Sequence, residues 1–395
     1  MKVFVFDTIP YDHHFEEFKA ERFIPYPLPR QYFDPEIAAR TYAGHLEVWR
    51  EMDRLGYDGV GLNEHHTAVH GLMNSPNMMA AVGAQHTEKL KFLMLGNLLP
   101  LHNPVRIAEE IAMADCLSRG RVLAGFARGT QREYGVFDIK MAESRGRFEE
   151  AFEIIRKAWT EESFSHHGEF WTFNDVAIWP RPYQRPHPPV WVPFTGSKET
   201  IEWAGRNNLN AVVTAITPGL TEDIAGQFAQ ALARHGNRMT PEHLCMFTDV
   251  WVADSKAAAV KEFAPYVLYF RQTLWHHGVL GYKNAPSREG FVSSNSYDYI
   301  RPENRAAAVL DREKIRQTTM ADIEANVDSG KYHWGSAQEV TEQLIEIAEH
   351  AGANSLLIDM DLGAVPHELY LEQIRRFGRE VLPRLQAHEV TRARR

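Results

Sequence analysis

Cysteine is almost absent from the chain: Cys116 and Cys245 are the only two among 395 residues. Two thiols supply neither a disulfide framework nor a thiolate metal site. Positive charge is also short, with 43 Lys and Arg against 52 Asp and Glu and a net charge of -9. Binding a nucleic-acid backbone needs clustered cations, so no nucleic-acid partner is expected. No apolar run approaches the ~20 residues that a membrane-spanning helix needs, and no membrane contact is expected. Met1 to Asp7 run directly into a strand pattern without a cleavable leader, which points to a cytoplasmic protein. The chain also lacks a Gly-x-Gly-x-x-Gly fingerprint, a phosphate-loop lysine motif and a serine nucleophile elbow. Internal repeats and low-complexity segments are missing too.

What the chain does have is an alternation of short apolar runs with amphipathic segments. Strands are expected at Val3 to Phe6, Gly59 to Leu62, Phe92 to Asn97 and Val122 to Ala127. Four more are expected at Val190 to Val192, Ala211 to Val213, Met246 to Val252 and Leu356 to Ile358. Helices fall between them. Ser75-Pro76 and Asn103-Pro104 pair an N-cap with proline at the first helical position, and Ser336 with Glu339 forms a capping box. The helix after Ser75-Pro76 carries Met78, Met79 and Val82, and its methionines are expected in the core rather than at a metal or haem. Eight strands alternating with helices predict a (β/α)8 TIM barrel over residues 1–395, although an open doubly wound sheet has the same alternation. Insertions are expected at about 10–40, 163–189 and 260–335, and the first and last of them are long enough to form a lid. Arg392 to Arg395 reads as a frayed tail.

Parallel strands carry chemistry at their C-terminal ends. Four polar groups fall there: Glu64-His65-His66, Gly96-Asn97, Arg128-Gly129-Thr130, and Gly196-Ser197 through Thr200. A helix starting at Ser197, after a strand and a glycine, offers free N–H groups and a positive dipole end to an anion. Arg128 can grip a phosphate at two points. Each feature alone is commonplace, but together at one mouth they suggest a phosphate-bearing ligand. His65 and His66 are adjacent and diverge at a strand end, so no metal is expected. The other pairs, His13-His14, His166-His167 and His276-His277, show no ligand spacing.

These blocks resemble the bacterial luciferase family of flavin-dependent monooxygenases. The resemblance is carried by Gly59 to His66 with Gly71-Leu72, Asn74 and Pro76, then by Leu99-Pro100 and Pro104-Val105-Arg106. It continues through Leu117-Ser118-Arg119-Gly120-Arg121 to Arg128-Gly129. It runs from Gly56 to about Trp203, resumes weakly from Gly335 to Leu382, and leaves Pro10 to Arg40 and Val260 to Lys331 uncovered. It implies a (β/α)8 barrel that takes reduced FMN from a separate flavin reductase and reacts it with molecular oxygen. The resulting flavin hydroperoxide would hydroxylate, or oxidise in Baeyer-Villiger fashion, a small organic substrate. The aromatic content of residues 266 to 299 suggests an apolar one, although a core or dimer interface would use the same aromatics. A homodimer is also implied.

On this resemblance His65 matches the catalytic histidine, Glu64 its neighbouring acid and orienting group, and His66 the second imidazole. Arg128, Ser197 and Thr200 match residues that hold the FMN phosphate, and Gly129 and Gly196 are expected beside them as cofactor-binding positions that offer backbone groups. Leu95, Gly96 and Asn97 match the turn beneath the isoalloxazine, where relatives have a non-proline cis peptide. Three positions depart from the pattern: Ala127 replaces a reactive cysteine, Asn103 a histidine, and Gly196 a glutamate. Two rivals remain, a deazaflavin-dependent oxidoreductase transferring hydride and a flavin-binding protein without turnover.

Overall fold

A computed structural model describes residues 1–214, 219–275, 277, 287, 289–304, 312–362 and 365–391. His276, part of the 260–335 insertion and the Arg392–Arg395 tail lie outside the described residues. Eight parallel strands close into a barrel. They are β1 (Lys2–Asp7), β2 (Gly59–Leu62), β3 (Lys91–Met94), β4 (Val122–Ala127), β5 (Val190–Phe194), β6 (Asn210–Val213), β7 (Leu244–Val252) and β8 (Ser355–Asp359). Each pairs with the next, and β8 returns to β1 through Phe4 opposite Leu357. The fold is a (β/α)8 barrel.

The predicted strands are all present, each extended at most by a residue or two, except the third. There the ladder stops at Met94 and restarts as a short pairing of Asn97–Leu98 with β4. The break falls at Leu95–Gly96, which is a cis peptide. The helices are α1 (Pro35–Leu55), α2 (Pro76–His86), α3 (Pro104–Ser118), α4 (Ser144–Thr160), α5 (Lys198–Arg206), α6 (Leu220–Arg234), α7 (Ala337–Ala351) and α8 (His367–Glu380). Ser75, Asn103 and Ser336 accept backbone N–H groups at the starts of α2, α3 and α7, as cap residues do. Gly56 ends α1 in the left-handed conformation at φ 87.

The barrel interior is filled by Phe4, Leu93, Trp191, Val212, Cys245 and Leu357, with Phe6 and Phe247 above them. The two glycines of β2 follow from that filling. A Cβ on Gly59 would lie 2.7 Å from the Phe4 ring, and one on Gly61 would lie 2.6 Å from a Leu357 methyl. Strand β2 therefore gives its interior volume to its neighbours and is buried throughout.

One core expectation fails. Met79 is buried, but Met78 is 67% exposed and Val82 38% exposed on the outer face of α2. Helical spacing puts Met78 and Val82 on one stripe, yet that stripe turns away from the barrel. The insertions also have structure of their own. Residues 164–176 contain a two-stranded antiparallel hairpin. Tyr11, Phe15 and Ile24 of the first insertion pack with Tyr269 and Leu274 of the last, so the two form one layer near the mouth. No helix among the described residues is long and apolar enough to cross a membrane.

Candidate functional site

The polar residues at the ends of β2, β3, β4 and β5 meet at one mouth, in three groups. The first is built on His65. Its Nδ1 lies 2.9 Å from Oε1 of Glu133, a carboxylate with no exposed side-chain surface. The other oxygen of Glu133 accepts the Thr130 N–H at 2.6 Å, and Arg132 lies 3.9 Å from Oε1. Burial pushes the Glu133 carboxyl up, but His65, the Thr130 amide and Arg132 outweigh it and hold it at about 2. Gly129, at φ 86, makes room for this acid, since a Cβ there would sit 3.1 Å from Glu133 Oε2.

Glu64, the acid expected beside His65, does something else. Its Oε1 takes His66 Nε2 at 2.8 Å and His102 Nε2 at 2.5 Å, and its Oε2 accepts the Leu98 N–H at 3.0 Å. The reason is alternation: neighbouring side chains at a strand end diverge, so Glu64 and His65 face different partners. Burial raises the Glu64 carboxyl, and the His102 and His66 bonds, aided by the Leu98 amide, more than offset it. Phe137 packs edge-on against His66 at 4.8 Å between ring centroids. The Glu64, His66 and His102 donor atoms lie within 4.8 Å of one another, close enough to embrace a divalent cation. Both Glu64 oxygens are nonetheless satisfied by protein hydrogen bonds, which ties the loop after β3 to the end of β2.

The third group lies around the start of α5. Arg128 is half-buried and has no carboxylate within ion-pair distance among the described residues. Its Nη1 donates to Phe291 O at 2.7 Å and Ser144 Oγ at 3.3 Å, and its guanidinium lies 4.2 Å from the Phe291 ring centroid. Burial, then the neighbouring Arg145, lower it to about 10. Arg145 donates to Thr200 Oγ1 at 3.2 Å. Ser197 is buried; its hydroxyl donates to Glu199 at 2.8 Å, and Ser296 of the last insertion donates to Ser197 Oγ at 3.2 Å. Ser293 and Ser296 also bind Glu199. Tyr299 donates to the Gly196 carbonyl at 2.7 Å, with Gly196 at φ 102. Two adjacent guanidiniums, with no carboxylate on Arg128 at ion-pair distance among the described residues, stand beside a helix N-terminus. There the Ser197 hydroxyl is held by Glu199 and the Thr200 hydroxyl accepts from Arg145, a grouping of cations and N–H donors of the kind that binds phosphate. Leu95, Gly96 and Asn97 form the turn between these groups. Asn97 is buried and donates to Gly125 O at 3.4 Å, and a Cβ on Gly96 would lie 2.9 Å from the backbone of Phe126 and Ala127. Gly96 therefore packs directly against the end of β4, where a side chain has no room.

All eleven residues expected at the site lie at these strand ends. Four that matter were not anticipated: Glu133, His102, Arg145 and Ser296. Glu133 was detectable, because Thr130-x-x-Glu133 directly after a strand has capping-box spacing. His102, Arg145 and Ser296 carry no local signal.

The sequence profile described as luciferase-like monooxygenase matches residues 23–355. The chain belongs to that family. The match runs through the first insertion from residue 23 and through the last, regions the motif resemblance left uncovered. Among relatives, an uncharacterised protein y4wF of Sinorhizobium fredii is 40% identical over 178 residues, 45% of this chain and 52% of the relative. The aligned part therefore spans about half of that relative's length. The oxygenase component of a flavin-dependent trigonelline monooxygenase from Acinetobacter baylyi is 28% identical over 57% of this chain and 63% of its own. In three dimensions, the monooxygenase RslO1 from Streptomyces bottropensis superposes with a TM-score of 0.72 at 23% identity, covering 97% of this chain and 99% of that one. The oxygenating constituent of 3,6-diketocamphane monooxygenase from Pseudomonas putida, a type II Baeyer-Villiger enzyme in complex with FMN, gives 0.70 at 19% identity over 97% and 98%. At those identities the likeness establishes the fold.

Proposed function

We propose that the chain is the oxygenase of a two-component, FMN-dependent monooxygenase acting on a small organic substrate. The observation that carries the reading is the His65–Glu133 pair at the same mouth as the Arg128 guanidinium, which has no carboxylate at ion-pair distance among the described residues. Reduced FMN, delivered by a separate reductase, supplies the activation of molecular oxygen when bound. Arg128, Arg145, Ser197 and Thr200 would hold its phosphate, with Gly129 and Gly196 shaping the loops, and Leu95, Gly96 and Asn97 would support its ring.

The chain's own residues handle protons and water. Glu133 accepts from His65 Nδ1, which fixes the ring and leaves Nε2 as the nitrogen that can take or give a proton. Glu64, with His66 and His102, holds the loop after β3 in place. The layer formed by the first and last insertions covers the mouth and excludes water. Residues 1–395 are read as one domain in the cytoplasm. A homodimer is supported by exposed apolar side chains on two adjacent helices, Met78 and Val82 of α2 with Met113 and Leu117 of α3.

The test is rapid mixing of the protein and reduced FMN with oxygenated buffer. A long-lived absorbance transient distinct from oxidised FMN is expected, and a His65→Ala variant should form or use it more slowly. Immediate reoxidation to free FMN, with tight binding of a deazaflavin instead, would replace this reading with hydride transfer. FMN bound without reaction would leave a flavin-binding protein.

A further inference from the structure

The wall of the mouth away from Gly96 and Arg128 is acidic. Asp249 of β7 lies in register beside Asp359 of β8, and the two are 7% and 5% exposed. Both point inward, because Phe247 and Leu357, two residues earlier on the same strands, belong to the barrel interior. The pair therefore stands one layer above that apolar packing, where barrels of this kind receive their ligands. Asp249 has a cation, since Arg271 Nη2 donates to it at 3.3 Å. Asp359 has none among the described residues; its Oδ1 accepts the backbone N–H groups of Asp361 and Leu362, each at 3.2 Å. Burial, then Asp249 and Asp361, push its carboxyl well above the usual range. A carboxylate stripped of water with no opposing cation takes up either a proton or the positive charge of a ligand.

An independent observation lies at the same mouth, two strands away and beside Gly71. Asn63 is 3% exposed, and neither its amide nitrogen nor its amide oxygen has a partner. It stands two residues beyond Gly61, whose absent Cβ would point at Leu357 and Phe6, so Asn63 also faces the barrel axis. Buried amides with no partner are rare and call for something that completes them. β2 and β8 both flank β1, and the register sets Asp359 level with Gly61, so Asn63 lies two strand spacings across and two residues further up, ~12 Å from Asp359. Beneath them lies an apolar floor that includes Phe6 and Phe247, packed edge-to-face at 5.3 Å.

We infer that the substrate is an apolar, ring-sized body bearing one positively charged nitrogen, with the charge seated against Asp359 and a polar group met by Asn63. The inference rests on reading this mouth as the oxygenase site, and it narrows the expected apolar substrate to an amphipathic one. An anionic substrate would find no opposing charge at Asp359 among the described residues.

Three probes of nearly one shape separate the possibilities: benzamidinium, benzamide and benzoate, titrated into the full chain by calorimetry at neutral pH without flavin. Benzamidinium should bind at least tenfold more tightly than benzamide, and benzoate more weakly than either. Asp359→Asn should bring benzamidinium down to the affinity of benzamide. Equal or tighter binding of benzamide or benzoate to the wild-type chain overturns the proposal, as does failure of benzamidinium to bind at millimolar concentration. So does an unchanged preference in Asp359→Asn. If that variant does not fold, the wild-type ranking alone decides. Because no flavin is present, the ranking can hold while the oxygen transient is missing, or fail while it is seen, so the two readings stand or fall separately.

Discussion

Replacing Glu133 by alanine tests the arrangement around His65 most directly. The carboxylate is fully buried and accepts from His65 at 2.9 Å and from Thr130 at 2.6 Å. Its carboxyl is held at about 2 against an ordinary value of 4.5. At ~1.4 kcal/mol per unit, that difference corresponds to about 3 kcal/mol of stabilisation near neutral pH. Breaking a buried pair by removing one partner costs about 3–5 kcal/mol, which is consistent. For unfolding entropy of about 2.1 cal/mol/K per residue, a loss of 3 kcal/mol lowers Tm by about 4 °C in a chain of 395 residues.

The sign of the pH dependence follows. A depressed carboxylate contributes fully above pH 4.5 and loses its contribution as pH falls toward about 2. The Tm gap between wild type and Glu133→Ala, measured by calorimetry, should therefore be full at pH 7 and narrow in acid below pH 4.5. Glu133→Gln keeps the shape and an acceptor for His65 while removing the charge. It should form or use the oxygen-dependent absorbance transient about 10- to 100-fold more slowly, a share of what a positioned acid or base contributes. A Glu133→Ala chain with wild-type Tm and a wild-type transient would refute the whole argument for the pair.

Three further outcomes are expected. Arg128→Ala should weaken FMN binding about 10- to 150-fold, the value of charge-assisted hydrogen bonds at about 1.5–3 kcal/mol; a fluorescence-quenching titration with unchanged affinity would remove Arg128 from the cofactor site. Gly125→Ala should destabilise the barrel by at least about 1–3 kcal/mol in urea unfolding, because its Cβ would fall 1.8 Å from the Met94 carbonyl oxygen, which a rigid strand end cannot move. Asp361 is raised to about 7, by burial first, with His45 opposing and Asp7 adding. The folded chain thus keeps a proton that the unfolded chain releases near pH 4, and stability falls as pH rises from there to about 7. Asp361→Asn should gain Tm relative to wild type at pH 8 and gain less at pH 5; an equal difference at both would contradict the assignment.

The sequence by itself determined the strands, the helix starts and the order of the strand-end motifs. Those features are local. Apolar runs bounded by glycine, a serine or asparagine before proline, and a left-handed Gly56 each act within a few residues, so their signals survive without tertiary context. The barrel then brings Glu64, His65, Gly96, Arg128 and Ser197 to one mouth because parallel strands put all their C-terminal ends on the same side.

Only the tertiary structure decided who pairs with whom. Glu64 and Glu133 are both acids within reach of a histidine motif, and sequence proximity favours Glu64 as the partner of His65. Strand alternation sends Glu64 to His66 and His102 instead, and leaves His65 to an acid 68 positions away. Met78 and Val82 lie on a helical stripe, yet whether a stripe faces the barrel or the outside depends on how the helix is rotated on the sheet, and spacing is silent about rotation. The acidic wall of Asp249 and Asp359 was equally illegible, since two aspartates 110 positions apart become neighbours only when β7 pairs with β8. Periodicity reports what a residue's own element does; the partner across a closed barrel is set by register, and register exists only once the chain has folded.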